Sequence, residues 1–228
     1  MGTRKLVEGG QAVEIKQGSP ENFYKEMRKD TRTPLEKFKH YPLTWSQIAS
    51  FRRSKTQWYS LYVKGKRGHS TKEMIYGNIV GDRLAVDPTF MPQIPRLAHF
   101  EYVTECKIGK VKLRAHIDNY ETGKLAEFKT GKEPWDQKRV DYHEQIDLYC
   151  AQLYLADKVK PESLDINLYW MPTVDRTEPD GEGGYDTFVE VTGEVHVFPV
   201  KKTMKDVLKV LAMAQGVRKE MQAYVLAH

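Results

Sequence analysis

RAHIDNYETGKLAEFKTGK, residues 114–132, reads as two strands folded back on a tight turn. Apolar and polar residues alternate on both sides of Glu121-Thr122-Gly123-Lys124, and Gly123 stands where the turn is expected. With those four residues in the turn, cross-strand partners have numbers that sum to 245, which sets Asp118 opposite Glu127. The Cβ atoms of such a pair lie roughly 5 Å apart, within reach of one shared divalent cation. Lys129 follows Glu127 by two, so the strand period sends its ammonium to the same face. A slip of one residue would turn Asp118 away and dissolve the group.

A surface ladder, with Glu127 and Lys129 merely paired to neighbours, is the competing reading. Against it, Leu125 shares the face of Glu127 and Lys129 while Ala126, Phe128 and Thr130 line the other. A strand apolar on both faces belongs inside a sheet, and carboxylates buried there beside a lysine have a metal or a reaction to serve. Two carboxylates offer hard oxygen ligands to Mg²⁺ or Mn²⁺. Lys129 can position or help deprotonate an attacking water and stabilise developing negative charge, a combination suited to phosphodiester hydrolysis.

Outward from this hairpin, FEYVTECKI and KVKLRAHID extend a β-meander through Gly109. Downstream we expect a long helix from about Trp135 to Lys158, a strand around Leu164 to Trp170, and the acidic, Gly-rich loop TEPDGEGGYD. TFVEVTGEVHVFPV alternates like one or two strands, and TMKDVLKVLAMAQGVRKEMQAYV reads as a closing amphipathic helix with a breaker-like Gly216. Upstream, residues 91–98 form a Pro-rich connection, and TKEMIYGNIVGDRLAVDP reads as a helix that stops before Pro88. TWSQIASFRRSKTQWYSLYV reads as one helix, opened by Thr44 and Gln47 in a capping-box pattern and followed by the glycine-broken basic loop KGKRGHS. Residues 1–35 are polar and read as a loosely held arm with one short helix, leaving residues 36–228 as one domain.

The chain resembles the PD-(D/E)xK nuclease superfamily, and its RecB-like branch in particular, in Asp118, Glu127-Phe128-Lys129 and the Thr130-Gly131 that follows. An acid, a short gap and E-x-K make a weak signal alone, but Gln145-Ile146-Asp147-Leu148-Tyr149 stands on the next helix, where the branch carries Q-x-x-x-Y. Gln145 and Tyr149 are four apart on one helix face, and Tyr142 and Gln152 extend that stripe. FRRSKTQWYSLYVKGK is similar to the helix that opens such domains, and YGNIVGDRL to their G-x-x-x-H helix. The resemblance implies an α/β fold with a restriction-endonuclease-like core, a mixed central β-sheet flanked by α-helices. It implies catalytic roles for Asp118, Glu127, Lys129, Gln145 and Tyr149, with Mg²⁺ or Mn²⁺ held by Asp118 and Glu127. The activity it implies is that of a deoxyribonuclease, an exonuclease of phage type acting in DNA replication, repair or recombination. One departure stands out: the branch has a metal-binding His where this chain has Gly81. Asp82 could supply an oxygen ligand instead, although at about 100° per residue it can equally face solvent.

The net charge of +5 is unevenly spread, since residues 37–72 hold nine Lys or Arg and no acid. A polyanion is the partner this suggests, against a solvated basic face or an acidic protein as the plain alternatives. Arg52, Arg53, Lys55, Lys64, Lys66 and Arg67, with Lys132 beside the hairpin, are the DNA-binding candidates. Trp58 and Tyr59 among them would suit duplex ends or single strands, unless they are core, the better reading for Trp58. His116 and His143 precede Asp118 and Gln145 by two, and without a compact Cys/His cluster they read as polar supports rather than zinc ligands. Glu101 and Glu105 either line the groove or are solvated.

Cys106 and Cys150 fall in no C-x-x-C pair, so neither a disulfide framework nor a zinc or iron–sulfur cluster is indicated. With no run near the roughly 18 apolar residues of a membrane span and no apolar leader, a cytoplasmic protein is expected, in the host cytoplasm if of phage origin. A recombination or replication protein as partner is left open. The rival functions are a non-catalytic nucleic-acid-binding module of the same fold, an endonuclease, and an RNA-directed nuclease.

Overall fold

In the computed structural model of the chain, the described residues are 5–8, 11–14, 29–66, 71–179 and 185–228. Lys5–Glu8 (β1) pairs antiparallel with Gln11–Glu14 (β2), a strand pair that the arm's polar sequence did not suggest. The short helix expected in the arm falls largely outside the described residues. Thr33 then opens α1 (Pro34–His40) with a full capping box, its hydroxyl accepting from Glu36 N–H while the Glu36 carboxylate takes the Thr33 amide.

The single helix expected over TWSQIASFRRSKTQWYSLYV is two helices, α2 (Trp45–Arg53) and α3 (Lys55–Tyr62), broken at Ser54. Ser54 is extended (φ −159°, ψ 108°), and its Oγ accepts the Gln57 amide at 3.2 Å, so one serine ends a helix and caps the next. Ile48, Phe51 and Trp58 are buried, Trp58 edge-on to Phe51 at 5.0 Å. Thr71 caps α4 (Lys72–Val86), which stops at Asp87 before Pro88 as expected. Arg96 holds that end in place by donating to the carbonyls of Leu84, Asp87 and Phe90.

Gly109 (φ 56°) and Gly123 (φ 85°) take the left-handed turn positions that close two successive hairpins. They join β3 (His99–Ile108), β4 (Val111–Glu121) and β5 (Lys124–Gly131) into the expected meander. Leu43 bridges the first half of β4 on the side that β5 leaves open, through Leu43 N–H to Lys112 O and Arg114 N–H to Leu43 O. Beyond β5 the expected long helix is interrupted, giving α5 (Gln137–Asp141) and α6 (Glu144–Asp157). Lys202, almost fully buried, secures the break by donating to Asp141 O and pairing with Asp147, each at 2.7 Å.

This helical crossover lets β6 (Asp165–Pro179) lie parallel to β5, from Lys124↔Asp165 to Gly131↔Pro172. β6 runs well past Trp170: its first half also pairs antiparallel with β8 (His196–Val200), its second half with β7 (Tyr185–Val191). The result is a mixed, mostly antiparallel six-stranded sheet in the order β3-β4-β5-β6-β7, with β8 on β6. α7 (Met204–Leu226) runs unbroken through Gly216. A helical glycine costs about 1 kcal/mol relative to alanine, which the burial of Val207, Val210, Leu211, Ala214 and Met221 readily outweighs.

Two apolar clusters flank the sheet. The larger joins α2, α3, α6 and α7 to Leu113, Ile117, Leu125 and Leu168, and the smaller packs Val80 and Leu84 of α4 with Ile94 and Leu97 against Ala126 and Met171. Among the described residues no helix is long and apolar enough to cross a membrane.

Candidate active site

The expected register is present. Glu121↔Lys124, Tyr120↔Leu125 and Asn119↔Ala126 are paired, and the pairing stops one step short of Asp118 and Glu127. There the strands part, and the Phe128 amide donates to Asp118 Oδ2 at 2.7 Å. On the other side of β4, Phe100↔Asn119 and Tyr102↔Ile117 are paired while Glu101 and Asp118 between them are not. Glu101 has φ 51°, a strained conformation for a residue with a Cβ. Ile117 and Tyr120 both join the larger core although three residues apart, so strict alternation breaks at Asp118-Asn119. The reaction-centre candidates thus sit at a local irregularity shared by two strands.

Glu127 has no exposed surface. Its Oε1 receives Lys129 Nζ at 2.5 Å, whereas Oε2 is buried without a hydrogen-bond partner. Burial, and then the Glu127 charge, hold the Asp118 carboxyl well above the usual carboxylate range against the pull of Lys129 and the Phe128 amide. Burial disfavours the charged form of Lys129, but the Glu127 and Asp118 charges outweigh it and raise its pKa, so it is an ammonium at neutral pH.

Lys129 Nζ also donates to Gln145 Oε1 at 3.0 Å; Gln145 Nε2 donates to Tyr149 OH at 2.5 Å, and Tyr149 OH to His116 O at 2.8 Å. Gln145 and Tyr149 therefore connect the lysine of β5 to the backbone of β4 across the first two turns of α6. The wider stripe does not form. Tyr142 lies in the α5–α6 break and is 75% exposed, and Gln152 is fully buried with neither amide atom hydrogen-bonded.

Glu101 borders the pair. Partial loss of solvent, and then the Asp82 and Glu127 charges, raise its carboxyl pKa, and His116 Nδ1 stands 3.9 Å from its Oε2. Asp82, half-buried on α4, is thereby placed at the rim of the same region. α4 approaches because Gly77 passes over Thr130 so closely that a Cβ would come within 3.0 Å of its Oγ1. One turn on, a Cβ at Gly81 would meet nothing within 4 Å. Glu105 is engaged elsewhere, by Arg114. Neither the bend at Glu101 nor its approach to Asp82 had a signal in the alternation of β3.

Of the basic candidates, Arg52 is paired with Glu144 at the start of α6, and Lys132 with Asp175 at 2.6 Å. Lys55 pairs with Glu220 at 3.5 Å and lies over the Phe51 ring, and Lys64 lies over Tyr59. Arg53 and Lys66 are exposed, and Arg67 lies outside the described residues. Trp58 and Tyr59 are buried, which removes them as stacking surfaces.

Among the described residues, no three or more His, Cys, Asp or Glu side chains are arranged to hold a metal ion. The donor set at Asp118 and Glu127 nevertheless suits one. Mg²⁺ typically takes one or two carboxylates and keeps several waters, and the unpartnered Glu127 Oε2 is a buried hard donor with nothing else to bind.

No family model matches the chain, and no curated protein matches it. Among solved structures it is similar to a protein of Eubacterium rectale described as a "putative exonuclease", with a TM-score of 0.54 and 12% identity, covering 93% of this chain and 88% of that one. SSO0001 is a weaker likeness, with a TM-score of 0.45 and 10% identity over 86% of this chain and 83% of that one. At such identity the first likeness speaks to fold alone: an α/β protein with a central six-stranded, mostly antiparallel sheet flanked by helices.

Proposed function

We propose that the chain is a metal-dependent nuclease that hydrolyses DNA phosphodiester bonds, with Asp118, Glu127 and Lys129 as its reaction centre. The observation that carries this is the buried Glu127, with one carboxylate oxygen on Lys129 and the other free of any partner, beside an Asp118 whose charged form burial disfavours. Two buried carboxylates beside a single lysine are costly, and a divalent cation is the partner that would relieve both at once. Bound there, Mg²⁺ or Mn²⁺ would polarise a phosphoryl oxygen and lower the pKa of water.

The rest of the chemistry falls to this chain's own groups. Lys129, an ammonium at neutral pH, stabilises negative charge as it develops on the phosphoryl group and orients the incoming water. Gln145 and Tyr149 fix the lysine in place through the hydrogen bonds that end on His116 O. Arg52, paired with the Glu144 that precedes Gln145, and Lys132, one residue past β5, can exchange Glu144 and Asp175 for backbone phosphates. The exonucleolytic form of the activity is supported by the description of the similar E. rectale protein and by the RecB-like motifs.

One observation favours a second reading. Gly81 leaves open the position at which the resembling branch carries a metal-binding His, as a binding module that had lost its metal would. Incubating end-labelled linear DNA with Mg²⁺, with Mn²⁺ and with chelator separates the two. Shortening of the strand in either metal and not in chelator is the expected result. Retarded but intact DNA in all three would establish the module instead.

A further inference from the structure

Resting on the nuclease reading, we propose that Trp135, Arg139 and Tyr142 form a platform on which an unpaired base stacks, so that the substrate class is DNA with a single-stranded or frayed end. The platform occupies the link between the end of β5 and the start of α6. Arg139 lies over the Trp135 ring with its guanidinium carbon 4.1 Å from the centroid, and the Arg139 side chain is exposed. Trp135 in turn stands edge-on to His143 at 5.0 Å, and Trp45 of α2 meets the same imidazole at 6.3 Å.

His143 ties this aromatic group to the reaction centre. Its ring feels the charge of Lys129, and Gln145, two residues further on, is the residue that receives Lys129 Nζ. Its Nε2 is buried without a hydrogen-bond partner. Next to His143 in the chain, Tyr142 is the most exposed large hydrophobic side chain among the described residues, at 75%. An exposed ring, and a stacked guanidinium whose charge Lys129 feels, have little to offer a closed duplex, which presents phosphates and groove edges. An unstacked base presents a π-face that both can cover.

The test compares binding, in chelator so that nothing is cut, of wild-type protein and Tyr142→Ala to three labelled probes. These are oligothymidylate, an abasic strand of equal length, and a blunt duplex. Loss of one stacked base is expected to weaken oligothymidylate binding about five- to tenfold while the abasic strand and the duplex stay within about twofold. Arg139→Ala should add to the same loss and also weaken the abasic strand, since it removes a cation. Equal loss on all three probes, or none on oligothymidylate, overturns the platform. If the wild type cuts and binds duplex while Tyr142→Ala leaves oligothymidylate binding unchanged, only the platform fails. If the wild type binds none of the probes, the nuclease reading fails with it.

Discussion

Lys129 Nζ stands 2.5 Å from Glu127 Oε1, two residues away on the same strand, while the other oxygen of that fully buried carboxylate has no partner. The lysine therefore engages one oxygen of a carboxylate whose charge Asp118 also feels. Removing it leaves a buried charge uncompensated.

Lys129→Ala should cost about 3 kcal/mol of folding stability in the absence of divalent metal, besides abolishing cleavage. Adding Glu127→Gln to it should restore much of that stability, because the orphaned charge goes too. Urea unfolding of both single variants and the double gives the coupling. Additive losses would show that the two side chains do not act as a pair.

Position 81 has room for a side chain, unlike Gly77 one turn earlier against Thr130. Gly81→His should fold at least as well as the wild type, gaining a few tenths of a kcal/mol in helix propensity. It should also bind Mn²⁺ about tenfold more tightly if an imidazole there reaches the carboxylate pair. Thermal melting and a Mn²⁺ titration measure both, and unchanged affinity would place residue 81 away from the metal.

The Arg52–Glu144 pair is part-exposed, so breaking it should move stability by less than about 1 kcal/mol. Its effect on DNA should be larger and of opposite sign for the two partners. Arg52→Ala should flatten the salt dependence of binding by about one phosphate contact, whereas Glu144→Gln should tighten binding by freeing the guanidinium and removing an acid. Affinity measured over a series of salt concentrations tests both, and equal weakening by the two substitutions would mean that the pair serves the fold alone.

Burial, and next the Lys129 charge, push the His143 imidazole down from 6.5 to about 3. The unfolded chain takes up this proton as pH falls below about 6.5, and the folded chain not until about 3, so the unfolded state binds more protons across that window. His143 thus makes folding stability fall as pH drops from about 6.5 toward 3. His143→Asn should flatten that part of the stability profile, and the ring nitrogen signals of wild-type His143 should stay those of a neutral imidazole from pH 8 to 5. A titration near pH 6 would show the ring to be solvated.

Much of the site could be read from the chain because short-range rules govern it. The turn at Gly123 fixes the strand register, and the four-residue spacing of Gln145 and Tyr149 fixes their bond. What escaped were the places where a single polar residue overrides a periodic pattern. Ser54 splits one amphipathic helix by capping its own successor, and the Tyr142-His143 break, held by Lys202 from far along the chain, divides another. The same break carries Tyr142 off the α6 face and into solvent. Basic residues were legible as a charge density but not as partners, since the acids that engage Arg52, Lys55 and Lys132 come from distant segments. The irregular backbone at Glu101 and Asp118 depends on three strands at once, and no local spacing encodes it.

The claim on which the rest depends is that Asp118 and Glu127 make one cation site. Calorimetric titration of Mn²⁺ into the wild type, Asp118→Asn, Glu127→Gln and the double variant tests it without reference to activity. The expected result is saturable binding by the wild type that either single substitution removes as fully as both together. Wild-type protein that takes up no Mn²⁺, or single variants that bind it as the wild type does, would contradict it.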